Sequence, residues 1–128
     1  MKRAIAIITL SALLLAGGII ELILVNNILN DLNKNISVLE TAITDNEEDI
    51  TLVKDELDKV IDHWHNFEQT LSLMFNHKDL GSITDSINRL QANVETNNYD
   101  DAIVELTLLK WYSENSKYVM SYNMQNIF

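Results

Sequence analysis

Residues 50–74, "ITLVKDELDKVIDHWHNFEQTLSLM", contain the clearest periodic pattern in the chain. Apolar residues recur at alternating spacings of three and four over more than three heptads, which is the pattern of a helix with one continuous buried seam. The seam positions are Ile50, Val53, Leu57, Val60, Trp64, Phe67, Leu71 and Met74. We therefore expect a long helix, from about Asn46 to Phe75, that packs this seam against other helices.

Shorter stripes of the same helical period lie on both sides of this segment. An upstream helix carries its apolar residues at Ile28, Leu29, Leu32, Ile36, Leu39 and Ile43. Two downstream helices carry theirs at Ile83, Ile87, Leu90 and Val94, and at Ala102, Ile103, Leu106, Leu109 and Tyr112. The sequence thus predicts an all-α fold in which an N-terminal transmembrane helix continues into an antiparallel bundle of about four helices.

Polar residues at the joints predict where the helices begin. A short polar side chain followed three residues later by an acidic one is typical of a helix N-terminus. The cap candidates are Thr44 with Glu47, Ser82 with Asp85, and Asn98 with Asp101. His77 and Lys78 suit the C-terminus of the long helix, where cations are favoured. The tail, residues 118–128, is apolar enough to pack on the bundle.

Residues 4–25, "AIAIITLSALLLAGGIIELILV", form a run of 22 residues with a single charge. This length crosses a hydrocarbon core of about 30 Å as a helix. Two basic residues precede the run, so the positive-inside rule places the N-terminus in the cytoplasm. We expect residues 1–25 to be an anchor in the lipid bilayer and residues 26–128 an extracytoplasmic helical bundle. A signal peptide cleaved after Gly18 is the alternative, although the apolar run continues beyond that point.

Glu21 is the one charge inside the apolar run. A carboxylate at mid-membrane costs about 2.5–3.5 kcal/mol on insertion scales, and less near an interface. In one interpretation Glu21 reaches the nearby outer surface. In the other it contacts a partner helix, because Gly17 lies one turn below on the same face, and Ala12 and Ala16 permit close approach. Glu21 and Gly17 are therefore candidate interaction residues.

The composition limits the partners and the chemistry. The formal net charge is -10, and from Asn26 onward there are 18 acidic and 7 basic residues. We therefore expect no nucleic-acid partner and no electrostatic attraction to anionic lipid. The chain has no cysteine, which excludes disulfides, cysteine-ligated zinc and a thiol nucleophile. It has no proline and three glycines, which favours long helices over a β-rich fold.

All three histidines lie in or just after the heptad segment. On a helix His63 and His65 point about 200° apart, so they cannot chelate one ion, and His77 is distant in sequence. The acidic run that starts at Asp45 has Ile50 where a calcium loop needs glycine. The sequence contains no phosphate loop and no nucleophile motif. We expect a protein that is not an enzyme, with no cofactor and no metal.

A further pattern spans the rest of the chain, and its elements are Trp64, His77-Lys78-Asp79-Leu80, the run 101–106, and a terminal Asn126-Ile127-Phe128. With the short basic N-terminus and the single apolar run, these residues resemble a domain-of-unknown-function family, numbered four-three-six-three, of small, largely clostridial single-pass membrane proteins. The resemblance implies no known activity. It implies a protein partner, a multi-pass membrane protein, and makes Trp64, His77, Lys78 and Asp79 candidate interaction residues.

These observations lead to an expected function and an alternative. We expect a non-enzymatic, membrane-anchored helical protein that acts as an interaction or accessory subunit of a membrane protein complex. The alternative is a secreted or anchored module that binds a ligand or a cation through its acidic surface.

The predicted helix lengths conflict with a simple antiparallel arrangement. The first helix rises about 27 Å from Asn26 to its end, whereas the second is about 45 Å long and would return to the membrane surface near Trp64. The first helix could bend at Asn26-Asn27, or the second could break near His63–His65. In a third arrangement, Phe67, Leu71, Met74 and Phe75 would lie beside lipid headgroups or a partner's membrane helices. We expect the bend, with Trp64 in the core.

Overall fold

In the computed structural model, residues 1–45 and 48–127 are described, with side chains as far as Tyr118. The described part forms four α-helices and no β-strand. The helices are α1, Lys2–Asp45; α2, Ile50–Ser72; α3, His77–Glu95; and α4, Tyr99–Ile127. With 44 residues, α1 is about 66 Å long.

The helices run alternately up and down in a closed four-helix bundle. Helix α2 packs against α1 and α3, and α4 packs against α3 and closes the ring against α1. Short joints make sequence neighbours antiparallel. Helix α4 is also antiparallel to α1, because Lys110 pairs with Glu40 and Lys117 with Asn30. The predicted all-α fold, a long apolar first helix that continues into an antiparallel bundle, is confirmed.

The two ends of the bundle differ. The distal end contains the α1–α2 and α3–α4 joints. The proximal end contains the α2–α3 joint, residues 73–76, and is the end from which the N-terminal half of α1 projects. On α1 the first buried residue is Val25, and a buried stripe continues from there to Ile43. The residues before Val25 are exposed or half-buried.

The heptad seam of α2 forms the centre of the core. Val53, Leu57, Val60, Trp64 and Leu71 are buried, and Phe67 and Met74 are partly buried against them. Ile50 is 46% exposed because it is the first residue of α2, at the distal end. The seam packs against the predicted stripes of α1, α3 and α4, which are likewise buried along most of their length.

The α1–α2 joint differs from the prediction. Thr44 lies in the last turn of α1, where its hydroxyl donates to the carbonyl oxygen of Glu40 at 2.8 Å. Helix α2 is capped by Asp49, whose carboxylate accepts from the backbone N–H of Leu52 at 3.0 Å. The expectation that Thr44 is the cap is therefore wrong, because its hydroxyl is satisfied within α1. Glu47, its predicted partner, and Asn46, the predicted helix start, lie outside the described residues.

The α2–α3 joint also differs. Helix α2 ends at Ser72 rather than Phe75, and Asn76 caps α3 by accepting from the N–H of Lys78 at 3.0 Å. Ser82 is an interior residue of α3, where its hydroxyl donates to a carbonyl one turn back. His77 and Lys78 consequently belong to the first turn of α3 and not to the end of α2.

The α3–α4 joint reverses the chain through a left-handed residue. Asn97 has φ 56°, a conformation that asparagine tolerates better than most residues. The N–H groups of Asn97 and Asn98 donate to the carbonyls of Val94 and Asn93 at 3.1 and 2.8 Å, which is the Schellman arrangement. Asn98 directly precedes α4 and donates to Asp101 at 2.6 Å, so the predicted cap pair does meet.

Helix α4 has 29 residues and is the second longest helix of the bundle. Its backbone is helical as far as Ile127. The side chains of residues 119–127 and the whole of Phe128 lie outside the described part of the structure, and with them lies the prediction that the tail packs on the bundle.

Helix α1 runs through Asn26 and Asn27 without interruption. The helix is therefore not broken at the point where the bend was expected. Helix α2 is also unbroken through His63–His65. The shorter α2 reduces the conflict in length, because α2 ends three residues earlier than predicted. The N-terminal half of α1 is long and apolar enough to span a membrane, with a mean hydropathy of 2.4 over its most apolar window, none of which is buried.

Candidate functional site

The proximal end brings together most of the candidate interaction residues. Its position along α1 is set by His63, whose Nε2 lies 2.8 Å from the carbonyl oxygen of Ile28 and donates to it. From His63, α2 continues towards the apolar half of α1 for nine further residues. The α2–α3 joint therefore lies close to the point where α1 leaves the bundle.

Gly17 and Glu21 lie on the projecting part of α1, one turn apart on the same face. Glu21 is exposed, and a Cβ added at Gly17 would meet no atom within 4 Å. Neither residue contributes to the core. This face of α1 is therefore available to lipid or to another helix.

Trp64 lies in the core and not on an interaction surface. Its side chain is 1% exposed, and its indole N–H donates to the hydroxyl of Thr84 at 3.0 Å. That hydroxyl donates to the carboxylate of Glu68 at 2.7 Å. The chain of hydrogen bonds joins α2 to α3 and satisfies the polar atom of the largest buried side chain.

His77, Lys78 and Asp79 are all exposed in the first turn of α3. Asp79 lines a cavity of about 210 Å³ whose wall also includes Phe75, Ser82, Trp111, Tyr112, Asn115 and Ser116. An acidic residue in the first turn complements the helix dipole, so Asp79 also has a structural role. The structure thus places these three residues at the proximal end and Gly17 and Glu21 on the projecting part of α1, and it separates Trp64 from both groups.

Three exposed apolar side chains near the proximal end were not singled out from the sequence. They are Leu73, Trp111 and Tyr118. Leu73 follows the last residue of α2 and is 84% exposed, and Trp111 is 58% exposed with its ring against that of Tyr112. Leu73 falls outside the heptad seam, which is the signal that could have identified it as an exposed residue.

The family comparison covers all four helices. A family described as Domain of unknown function (DUF4363) matches residues 20–127. The chain belongs to this family. The match begins inside the apolar run, so the family's domain includes the C-terminal end of that run together with the bundle. No curated protein and no solved structure matches the chain.

The histidines of this DUF4363 chain are well separated. His63 is directed at α1, whereas the ring of His65 is exposed and lies 3.1 Å from the carbonyl oxygen of Ile61 in its own helix. His77 begins α3. Within the described ranges, no three histidine, aspartate or glutamate side chains are grouped as a metal site would require.

A buried polar network joins α3 to α4. The guanidinium of Arg89 donates to both carboxylate oxygens of Glu105, at 2.8 and 3.2 Å, and the buried hydroxyl of Ser86 donates to the same carboxylate at 2.6 Å. Burial raises the pKa of Glu105, but the hydrogen bonds from Arg89 and Ser86 outweigh it, so the pKa lies below its ordinary value of 4.5. Glu105 is therefore an ionised structural anchor.

The contact between α1 and α4 is also polar. Lys110 pairs with Glu40, Ser113 donates to Asn33, and Lys117 donates to Asn30 at 2.6 Å. The three α4 residues are spaced by three and four, which is the signal that could have identified this face. Apolar periodicity, from which the core was predicted, does not reveal a polar contact of this kind.

Proposed function

We propose that this protein is a single-pass membrane protein whose helical bundle acts, without enzymatic activity, as an interaction or accessory subunit of a membrane protein complex. The observation that supports the proposal best is the division of α1. Its N-terminal half is apolar and lies outside the bundle, whereas its C-terminal half supplies eight buried residues to the core. One helix thereby joins a membrane-compatible segment to a folded domain.

The orientation follows from the charges that flank the apolar run. Lys2 and Arg3 precede it, and positive charges are retained on the cytoplasmic side. The bundle then lies outside. The chain has no cysteine, so Thr51→Cys, at an exposed position of the distal end, provides a unique label site. A membrane-impermeant maleimide should modify this cysteine in intact cells. Modification only after cell lysis would show instead that the bundle lies in the cytoplasm.

The partner site of this proposal is the Gly17–Glu21 face of α1. A glycine permits close approach of a second helix, and a carboxylate on the same face can accept a hydrogen bond from it. Because Gly17 touches nothing within the described chain, packing of the bundle does not explain the glycine. A multi-pass membrane protein would supply such a helix.

The polar networks support a non-enzymatic role. Ser86 has a hydroxyl next to the Glu105 carboxylate, a nucleophile beside a base, but the serine is fully buried and the carboxylate is paired with Arg89. A substrate could not reach this oxygen without opening the α3–α4 contact. The network instead stabilises the bundle.

Photo-crosslinking in native membranes tests the partner site. A photoreactive residue replaces Leu13, one turn below Gly17 on the same face, and a matched variant replaces Leu15 on the opposite face; both leucines are exposed. We expect a discrete crosslinked protein from position 13 and much less from position 15. Adding Gly17→Leu should reduce the yield from position 13. Equal, weak labelling of many proteins from both positions would contradict the proposal.

Retention of the apolar run is tested by the intact mass of the protein from membranes. The mass should include residues 1–18, apart from the initiator methionine. A mature species that begins at Ile19 would mean that the run is a cleaved signal and that the bundle is not anchored by α1.

A further inference from the structure

We infer that the α2–α3 joint is a lipid-contact surface: it rests in the headgroup layer of the outer leaflet, with Leu73 inserted between the lipids. This inference rests on the proposed anchoring by α1 and adds a second contact between the protein and the bilayer. The protein would contact the lipids through the apolar side chain of Leu73, at the level of the headgroups.

The level of the joint follows from the register between α1 and α2. The hydrogen bond from His63 to Ile28 fixes one level, and Leu73 is ten residues, or about 15 Å, further along. Ten residues below Ile28 on α1 is Gly18, and the carbonyl oxygen of Ile28 lies up to one turn above its own residue because helix carbonyls point towards the C-terminus. Leu73 is therefore level with residues 18–22. Leu22, three residues before the first buried residue of α1, is half-buried, which indicates that the bundle partly covers α1 at this level.

Glu21 marks the same level on α1. A carboxylate is least costly at the membrane interface, and the segment from Ala4 to Ile20 retains 17 residues, which is enough to span a thin core. The plane of the headgroups then passes through the turn that contains Glu21, and Leu73 lies in that plane. Because α1 is uninterrupted at Asn26-Asn27, the bundle cannot turn away from the membrane at that point without breaking the helix.

A tilt of α1 does not remove the joint from this layer. Membrane helices tilt by about 20° on average, and neighbouring helices lie about 10 Å apart. The tilt would then move α2 up or down by about 3 Å relative to α1, which is less than the thickness of one headgroup layer, about 5–8 Å.

The side chains at the proximal end fit an interface. Leu73 is 84% exposed although it is large and apolar, as expected of a side chain that contacts lipid. Met74 and Phe75, the next two residues, are half-buried against the core and hold the joint on the bundle.

The charges favour the same orientation. The described distal segments, residues 48–55 and 95–101, contain six acidic residues and one lysine. The proximal segments, residues 68–82 and 111–118, contain three acidic residues and two lysines. The strongly acidic end is therefore the one far from the bilayer, where its carboxylates stay fully solvated. A membrane surface, rather than an acidic protein or a second copy of the acidic end, matches the near-balanced proximal end.

Fluorescence quenching in vesicles tests the inference on the full chain. Leu73→Cys carries an environment-sensitive fluorophore, and Val104→Cys, another exposed apolar residue but on the distal half of α4, carries the same label as the control. Both proteins are reconstituted into phosphatidylcholine vesicles that contain a lipid-borne quencher, and flotation with the vesicles is measured first. We expect a blue-shifted emission and strong quenching at position 73, and neither at position 104.

The outcomes separate the inference from the proposed function. Protein that does not float with the vesicles refutes anchoring by α1, and with it the lipid contact. Flotation without quenching at position 73 refutes the lipid contact and leaves the anchor intact. Quenching at both positions also refutes it, because the bundle would then lie on its side. If a water-soluble maleimide modifies the unlabelled Leu73→Cys variant in vesicles but not in native membranes, a protein covers the joint and the inference is wrong.

Discussion

The indole nitrogen of Trp64 lies 3.0 Å from the hydroxyl oxygen of Thr84, and this contact joins the centre of α2 to α3. The ring is buried in the core, and its single polar group, the indole N–H, has a hydrogen-bond acceptor there. Removal of the ring leaves a cavity, whereas removal of the hydroxyl leaves a buried N–H without an acceptor. The two changes can be separated experimentally.

Trp64→Ala should lower the free energy of unfolding by about 3–5 kcal/mol, the usual cost of truncating a large buried aromatic residue. Urea denaturation of the detergent-solubilised protein measures the change. Trp111→Ala is the matched control and should cost much less, because Trp111 is 58% exposed. If Trp64→Ala kept its stability but lost a co-purifying protein, the tryptophan would belong to an interface.

Thr84→Val should cost about 1–3 kcal/mol, because the indole N–H of Trp64 would lose its acceptor in a buried position. The shape of the side chain is nearly unchanged, so the cavity contribution is small. Thr107→Val, at an exposed residue whose hydroxyl bonds only within its own helix, is the control. If both substitutions lowered the free energy of unfolding equally, the hydrogen bond to Trp64 would contribute no more to stability than one within a single helix.

Acidification should weaken the α3–α4 contact through Glu105. Its folded pKa lies below 4.5, so its contribution to stability is present above about pH 4.5 and is lost as the pH falls through the folded pKa. Glu105→Gln should reduce stability at neutral pH and lose less on acidification than the parent protein. Glu95→Gln, which removes an exposed carboxylate, is the control. Parallel pH profiles for Glu105→Gln and the parent would contradict the assignment.

His63→Ala should cost about 1 kcal/mol, the typical net value of one hydrogen bond, because its Nε2 contact is the polar link between α2 and Ile28. The loss of its ring contact with Phe67, at 5.0 Å between centroids, adds to this cost. His65→Ala removes a neighbouring exposed histidine and should be nearly neutral. Thermal unfolding of the two variants compares their stabilities. A larger loss of stability from His65→Ala would contradict the contact between His63 and Ile28, and with it the register of α1 and α2.

Asn97→Ala should destabilise the protein by about 1 kcal/mol, because alanine lacks the side chain that eases a left-handed backbone. Asn97→Gly should be neutral or stabilising at the same φ of 56°. Since both changes remove the weak hydrogen bond from Tyr99, the difference between them reports the backbone alone. Melting temperatures of the pair are sufficient for this test.

The sequence was most informative where burial is periodic. Val53, Leu57, Val60 and Trp64 were predicted to be core residues from spacing alone, because a helix with one buried side has no other way to place them. The joints were less predictable. Several short polar residues near each joint could serve as caps, and which one does so depends on where the preceding helix ends, as the use of Asn76 instead of Ser82 shows.

The surface residues were harder to predict for a different reason. Lys110 and its polar neighbours face α1, but a polar stripe on a helix is also the usual pattern of a solvated side. Leu73 is apolar but lies off the seam, and it follows directly after the end of α2 at Ser72, where it is exposed. Periodicity marks both sets of positions, but it does not show which polar stripe faces another helix or where α2 ends.

In the proposed membrane anchoring, the uninterrupted helix α1 would transmit motion from the membrane to the bundle as a rigid rod. About 20 residues, or 30 Å, separate the level of Val25 from the distal end of α1. If the membrane half of the rod changes its tilt by about 20°, the distal end sweeps sideways by about 10 Å. A thinning of the bilayer or the arrival of a neighbouring membrane helix would thus be converted into a displacement of the acidic end, with no change inside the bundle itself.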